Sequence, residues 1–364
     1  MLHCGIVGLP LSGKTTIFNV ITRAGAEVKP YAGGKTDPNR AVVDVPDARF
    51  DRLATVHNPK KTIPAQVEFV DLAGISRGAG KGEGLGNAFL SFVADADALI
   101  HVIRCFENTA VEHPEGSIDP VRDWEILGME LIFRDPGVVE NRLGKLSGKK
   151  KLTPEETVEK GLLERCRDTL MEEKPISSLE MSEGEARLVR GFTFLTAKPQ
   201  IVVLNMDESQ AGVAGVPNGA ALERKIAEMG VVAIPVYGRF EMELIELTPE
   251  EAAEFSEGLP ITEPGRDRLI ATAYRTLGLI SFFTCGPDEV RAWTLHDGDN
   301  AVDAAGAIHS DLARGFIRAQ VISYEDYTAH DDSYAKCRDA GVLRLEGKEY
   351  KVRDGDIIEI RFNV

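Results

Sequence analysis

Basic charge is scarce in this chain. Forty-two Lys and Arg stand against 58 Asp and Glu, a net charge of −16. That excess argues against sequence-blind coating of DNA or RNA, which needs a basic surface. It leaves room for a small local basic site. Cysteine pairing is also missing. Cys4, Cys105, Cys166, Cys285 and Cys337 are scattered, odd in number and form no C-x-x-C. This usage excludes a disulfide scaffold or thiolate zinc site and suits buried thiols in a reducing cytosol. No run of 18 apolar residues exists, so no membrane span is expected. No basic stretch precedes an apolar core at the N-terminus, so no secretory signal is expected. The histidines show no H-x-x-x-H pairing. What is present is an ordinary soluble balance, 43% hydrophobic and 27% charged, which excludes global disorder. At roughly 150 residues per domain the length implies two or three domains.

Short apolar runs alternate with helical stretches in the first third. Cys4–Leu9, Ala41–Val45, Gln66–Leu72 and Ala98–Ile103 read as strands, with helices over Lys14–Ala24 and Gly84–Ala94. A charged connection separates the second and third strands. Strands that are apolar on both faces point to a parallel α/β sheet. From Trp124 to Leu195 the chain is charged, helical and free of strand signals. It reads as an antiparallel helical insertion, with Asp135-Pro136 breaking one helix and Thr153-Pro154-Glu155-Glu156 starting another. The sheet pattern resumes at Pro199–Asn205 and Val231–Tyr237. Five short strands then follow: Ser281–Cys285, Val290–Leu295, Arg318–Ser323, Glu349–Val352 and Ile357–Phe362. With a helix at Asp303–Ser310 they suggest a small α+β module.

The strongest chemical signal is Gly8-Leu9-Pro10-Leu11-Ser12-Gly13-Lys14-Thr15, followed by Thr16. It matches G-x-x-x-x-G-K-[ST] between a strand and a helix, the context that makes it a phosphate loop. Backbone N–H groups curl round an anion there, Lys14 reaches the β- and γ-phosphates, and the Thr15 hydroxyl ligates Mg²⁺. Asp71-Leu-Ala-Gly74 ends the strand Gln66–Val70. Asp71 is placed to support the metal and Gly74 to offer an N–H to the γ-phosphate. Asn205-Met206-Asp207-Glu208 follows a third strand. A GTPase carries N-K-x-D there, and its Asp accepts from guanine N1–H and N2–H₂. Glu208 is one methylene longer. An Asn amide suits adenine N6 and N7, so Asn205 is read as the adenine contact, with Met206 as an apolar cover.

The run Asp71–Asn87, the stretch His101-Val-Ile-Arg-Cys-Phe-Glu107 and the tail segments Glu289–Thr294, Gly315–Gln320 and Arg361–Val364 closely resemble the YchF family of Obg-like ATPases. The resemblance runs from Cys4 to Val364. It implies a P-loop NTPase core like a G domain, an inserted helical (coiled-coil) domain and a C-terminal TGS domain of α+β, β-grasp type. On this chain the domains are drawn at 1–122 with 196–278, at 123–195 and at 279–364. The resemblance also implies a cytoplasmic protein that binds and hydrolyses ATP with Mg²⁺, associates with the ribosome or a subunit and regulates translation or stress response. No membrane and no sequence-specific DNA are expected as partners. Two other readings stay open: a nucleotide-gated ribosome- or RNA-binding regulator with little turnover, and a GTPase.

The family lacks the glutamine that positions water in Ras-like enzymes, and Ile75 stands at its place, so slow turnover without a partner is expected. A loop histidine has been put forward as the helping group, and His113 occupies the matching stretch. The bland alternative is a solvated loop histidine. Leu11 and Ser12 replace the family's Asn-Val. Leu11 offers no oxygen to a cation, so potassium stimulation by that route is not expected. In switch I, Lys35 falls at the position of a metal-binding Thr, with Thr36 one residue later. Either Thr36 reaches the metal or Lys35 contacts phosphate. Tyr237-Gly238 stands where the family often has Cys-Ala beneath the base. Arg142, Lys145, Lys149, Lys150 and Lys151 form a basic cluster at a helix–helix turn, read equally as an RNA-phosphate contact or a solvated tip.

Overall fold

The computed structural model describes residues 2–22, 28–29, 38–72, 92–108, 110–210, 215–256 and 265–363. Along the chain its strands are β1 (His3–Val7), β2 (Val28–Lys29), β3 (Asn39–Asp44), β4 (Lys61–Ile63), β5 (Gln66–Asp71), β6 (Ala98–Arg104), β7 (Gln200–Asn205), β8 (Val232–Val236), β9 (Leu279–Cys285), β10 (Glu289–His296), β11 (Phe316–Ser323), β12 (Arg344–Glu346) and β13 (Asp356–Phe362). The chain divides into two compact units, residues 1–42 with 68–269, and residues 43–67 with 270–364.

The first unit is built on a sheet of order β2-β3-β5-β1-β6-β7-β8. Its five strands from β5 to β8 run parallel, as their apolar runs require: β6 is buried at every position, which demands layers on both faces. Val7, Val70, Leu72 and Leu99 meet Leu127, Leu131 and Leu195 in one cluster, so the helix Pro120–Ser147 closes one face. Of the expected helix Gly84–Ala94 only residues 92–94 are described, and they are helical, the helix running on to residue 95.

The helical segment consists of Pro120–Ser147, Pro154–Met171 and Glu183–Arg190. Asp119 accepts from the Arg122 N–H ahead of Pro120. Thr153 and Glu156 form the reciprocal capping box that the T-P-E-E run promised. The expected break at Asp135-Pro136 does not occur. The helix runs through Pro136, because Val139, Leu143 and Leu146 beyond it are buried against Leu162, Leu163, Cys166 and Leu170. That burial outweighs one lost helical hydrogen bond. The basic cluster does lie at the turn between these helices, but it is partly neutralised. Arg142 pairs with Glu159, and Lys149 with Glu156. Lys145, Lys150 and Lys151 are exposed.

The second unit holds a sheet of order β12-β11-β13-β9-β10-β4. The hairpin β9–β10 is antiparallel, β13 lies parallel beside β9 and antiparallel beside β11, and the helix Ala301–Ile308 packs Ala301, Ala304 and Ala305 onto Phe282, Leu295 and Val321. First and last strands adjacent and parallel, with a helix on one face, make this a β-grasp. Asn300 and Asp303 cap that helix reciprocally. The sequence expectation of a strand at Glu349–Val352 is corrected. Those residues form only one bridge, Lys351 to Asn300, and the strand beside β11 is β12.

The charged connection after β3 also folds. It forms the helix Ala48–His57 and β4, which pairs parallel with β10. The Arg49 guanidinium bonds both Asp47, with three contacts, and Asp354, with two. Residues 43–67, drawn above with the nucleotide domain, therefore belong to the compact unit of the C-terminal module. Among the described residues all five cysteines are free, four of them buried, and no helix is long and apolar enough to cross a membrane.

Candidate functional site

β1 ends at Val7 and the helix Lys14–Thr22 begins seven residues on. The loop between them is tight. A Cβ on Gly8 would stand 2.4 Å from the Val102 carbonyl oxygen, so only glycine lets the loop lie on β6. Gly13 has φ of 92°, and a Cβ there would lie 2.1 Å from Asn205 Nδ2. Leu11 takes φ of 62° and is 54% exposed, a conformation that costs a branched-chain residue energy. The Ser12 hydroxyl is buried and has no hydrogen-bond partner among the described residues. Lys14 is buried and donates from Nζ to the Leu9 carbonyl at 2.8 Å. Burial pulls its pKa down to about 8, against the opposing pull of Asp71. Leu9 is itself buried. It supplies that carbonyl and accepts the Ser12 N–H at 3.3 Å, while Pro10 is half-buried beside it.

Thr15 Oγ1 donates to Asp71 Oδ2 at 3.0 Å. The parallel pairing of β1 with β5 sets this up, Ile6 lying opposite Asp71. Burial raises the Asp71 pKa, and bonds from Thr15 and Asn39 and the charge of Lys14 oppose the rise. Asn39 was not anticipated. A hydroxyl and a carboxylate in contact are the hard oxygen donors that a magnesium ion accepts. Gly74, Ile75, Lys35 and Thr36 lie outside the described residues.

β7 delivers Asn205, whose Nδ2 donates to the Ser12 carbonyl at 3.0 Å. One of its N–H groups thus anchors the phosphate loop; the other and Oδ1 remain. A Cβ on Gly238 would lie 2.8 Å from that Oδ1, so the glycine at this position makes room for the amide. A cavity of about 420 Å³ opens here, lined by Thr16, Phe106, Glu107, Asn108, Asn205, Met206, Asp207 and Arg239. Such a volume suits a small ligand. Met206 is 2% exposed and packs with Ile103, Cys105 and Trp124. It is therefore wall and core, and the reading of a cover laid over the base is corrected. Glu208 is half-buried and is not among the described lining residues.

The solvated reading of His113 is corrected. The residue is 8% exposed, so it is no solvated loop residue. Its Nε2 lies 3.0 Å from Asp123 Oδ2 and its Nδ1 accepts the Glu115 N–H at 3.1 Å. Both ring nitrogens are committed, Nε2 carrying the proton. His113 is absent from the described cavity lining, so the structure does not bring it to the phosphate loop.

Sequence reasoning missed Phe106, Glu107, Asn108, Asp207 and Arg239. The signal was available: in a doubly wound sheet the loops after strand C-termini line the crevice, and these residues follow β6, β7 and β8. Arg104 braces this wall. It donates to the Phe106 and Val111 carbonyls at 3.2 and 2.9 Å, and its guanidinium stands 4.7 Å over the Phe106 ring.

Two family models match the chain. One, described as a 50S ribosome-binding GTPase, covers residues 3–129. The other, for the C-terminal part of the YchF GTPase and described as a protein of unknown function (DUF933), covers residues 279–363. The chain is 45% identical to the protein named ribosome-binding ATPase YchF of Bacillus subtilis over 100% of both chains. It is 40% identical to the protein of that name from Escherichia coli O157:H7 over 99% of each. A solved structure, titled the Schizosaccharomyces pombe YchF GTPase, superposes with a TM-score of 0.86 at 36% identity, covering 99% of this chain and 97% of that one. With full-length likeness in sequence and in fold, and with the phosphate loop, Asp71 and Asn205 gathered at the C-terminal ends of β1, β5 and β7, the chain belongs to the YchF family.

Proposed function

We propose that this protein is a Mg²⁺-dependent ATPase that works with the ribosome in the cytoplasm. One observation carries the nucleotide reading: the Asn205 amide holds the Ser12 carbonyl, so base pocket and phosphate loop are one assembly. The phosphate end has its own support in the buried Ser12 hydroxyl, which has no partner among the described residues and could donate to an anion held in the loop. Thr15 and Asp71 would hold the magnesium ion, which supplies charge neutralisation between the β- and γ-phosphates. Lys14 binds phosphate oxygens, and the loop N–H groups orient them.

Adenine is favoured over guanine by the state of the Asn205–Glu208 turn. The Asp207 carboxylate accepts from the Ser209 N–H at 3.0 Å and from its hydroxyl at 2.6 Å, both through Oδ1. Those bonds hold its pKa low and occupy it locally. With Glu208 outside the described lining and Asp207 Oδ1 engaged by Ser209, neither carboxylate of this turn has both oxygens free in the cavity to clamp guanine N1–H and N2–H₂ together. Asn205 keeps one N–H and Oδ1 for adenine N7 and N6. Hydrolysis without a partner is slow, because Ile75 cannot orient water and His113 is engaged with Asp123. Competition between ATP and GTP for the nucleotide-free protein, followed by calorimetry, tests the assignment. Tighter GTP binding overturns it.

The ribosomal part rests on the curated relatives, named ribosome-binding ATPases. Co-sedimentation with ribosomes, with and without ATP, tests it.

Lys14 also sets a pH dependence. Its pKa of about 8 in the free protein should rise when a triphosphate lies beside it. Below pH 8 the ammonium is already charged, so affinity for ATP should be flat. Above pH 8 binding must take up a proton, so affinity should fall toward tenfold per pH unit. Titration calorimetry in buffers of differing ionisation heat should register that uptake above pH 8 and none at pH 7.

A further inference from the structure

Asn205 and Phe106 both line the cavity, at the ends of neighbouring strands β7 and β6. Backbone bonds tie those strand ends only so far: the Cys105 N–H donates to the Asn205 carbonyl and the Met206 N–H to the Val236 carbonyl, each at 2.9 Å. Beyond that point, among the described residues, the Gln210 side chain links the segments after β6 and β7. Gln210 Oε1 accepts the Asp207 N–H at 2.7 Å, and Nε2 donates to the Cys105 carbonyl at 2.8 Å and, more weakly, toward the Gly215 carbonyl at 3.4 Å. The partners fix the amide's orientation, since a carbonyl oxygen cannot accept from a carbonyl. The Tyr237 hydroxyl donates to the Gln210 carbonyl at 3.3 Å. One residue therefore touches the segments that follow β6, β7 and β8.

We infer that Gln210 is a specificity-determining positioning residue, which sets the spacing between the loop that carries Phe106 and the turn that carries Asn205, and hence the choice of purine. This rests on the nucleotide reading above. Gln210 is not among the described residues lining the cavity, and it acts through Asp207 and Cys105. Its loss leaves a backbone N–H and a backbone carbonyl unpaired. The loop carrying Phe106 and the turn carrying Asn205 are then free to separate. Hydrogen bonds to a base edge weaken steeply with such displacement. The preferred purine loses most, because its selection depends on Asn205 meeting two atoms at once.

The variants to measure are Gln210→Met, which keeps length and removes all three side-chain bonds, Gln210→Glu and Tyr237→Phe. The carboxylate of Gln210→Glu still accepts the Asp207 N–H but opposes two carbonyls. On the full chain with Mg²⁺, the dissociation constants of non-hydrolysable ATP and GTP analogues are compared. Gln210→Met should weaken ATP about tenfold, the worth of one hydrogen bond, and GTP less, so that the ATP-to-GTP preference shrinks. Turnover at saturating ATP should fall less than ATP affinity does while KM rises, because Lys14, Thr15 and Asp71 keep contacts of their own that do not pass through Gln210. Gln210→Glu should match or exceed this loss, and Tyr237→Phe should show a smaller shift of the same sign. An unchanged preference in Gln210→Met with a wild-type melting temperature overturns the inference. If Gln210→Met does not fold, an unchanged preference in both other variants overturns it equally. Wild-type protein that binds neither nucleotide overturns instead the reading beneath it.

Discussion

Replacing Lys14 with alanine is expected to weaken ATP binding by two to three orders of magnitude while leaving the fold intact. The ammonium is buried, and its bond to the Leu9 carbonyl is to a neutral group of its own loop. Burial drives its pKa down to about 8 even with Asp71 nearby, which says that the free protein tolerates this charge rather than needs it. A triphosphate reverses the balance by supplying anionic oxygens in a desolvated loop. Charge-assisted bonds lost from such a site cost roughly 3 to 4 kcal/mol, which is the stated factor in affinity. Stability should not suffer. Alanine is a good helix former at the first turn, and an incompletely paired buried charge is removed. Calorimetry with an ATP analogue and a thermal melt without nucleotide read the two halves separately. Wild-type affinity in Lys14→Ala would take the phosphate site away from Gly8–Thr15.

The phosphate loop was legible because it is contiguous: strand, glycines, lysine and threonine lie within thirteen residues, and each performs through local backbone geometry. The meeting of Thr15 with Asp71 was legible for a related reason, since a parallel pairing of neighbouring strands fixes which strand ends coincide. What escaped were properties set by residues distant in sequence. His113 reads as a loop histidine until the helix Pro120–Ser147 brings Asp123 against it. Met206 reads as a lid until Trp124 and Ile103 enclose it. The connection after β3 reads as charged coil, because Arg49 and Arg52 find their carboxylates 280 or more residues away, at Asp354 and Asp332. Composition cannot reveal partners at that separation. Four of the five strands read in the C-terminal module form, yet Glu349–Val352 reads as a strand and Arg344–Glu346 does not, because alternation alone does not tell an edge strand from a turn held by Tyr350 and Asp356.

The helix that runs through Pro136 leads to the largest expected loss of stability. Asp135 is fully buried and accepts the Leu195 and Thr196 N–H groups at 2.9 Å each and the Thr196 hydroxyl at 2.6 Å. The same hydroxyl oxygen accepts the Ile176 N–H at 3.1 Å, and the Thr196 carbonyl accepts the Ser177 N–H at 3.1 Å. One carboxylate therefore fastens the long helix to the segment that feeds β7 and, through Thr196, to residues 176–177. Asp135→Ala strands two buried N–H groups and a hydroxyl, a loss of about 3 to 5 kcal/mol. That is a large share of the roughly 5 to 15 kcal/mol by which folded domains are stable. Asp135→Asn should cost about half as much, because its amide oxygen still accepts while its NH₂ faces a donor. A proline inside a helix costs about 3 kcal/mol, so these bonds and the apolar contacts beyond residue 136 are what hold the helix continuous. Pro136→Ala added to Asp135→Ala should then recover part of the lost stability. Urea unfolding of the single and double variants measures each step. A wild-type midpoint for Asp135→Ala would mean that apolar packing alone carries the helix past its proline.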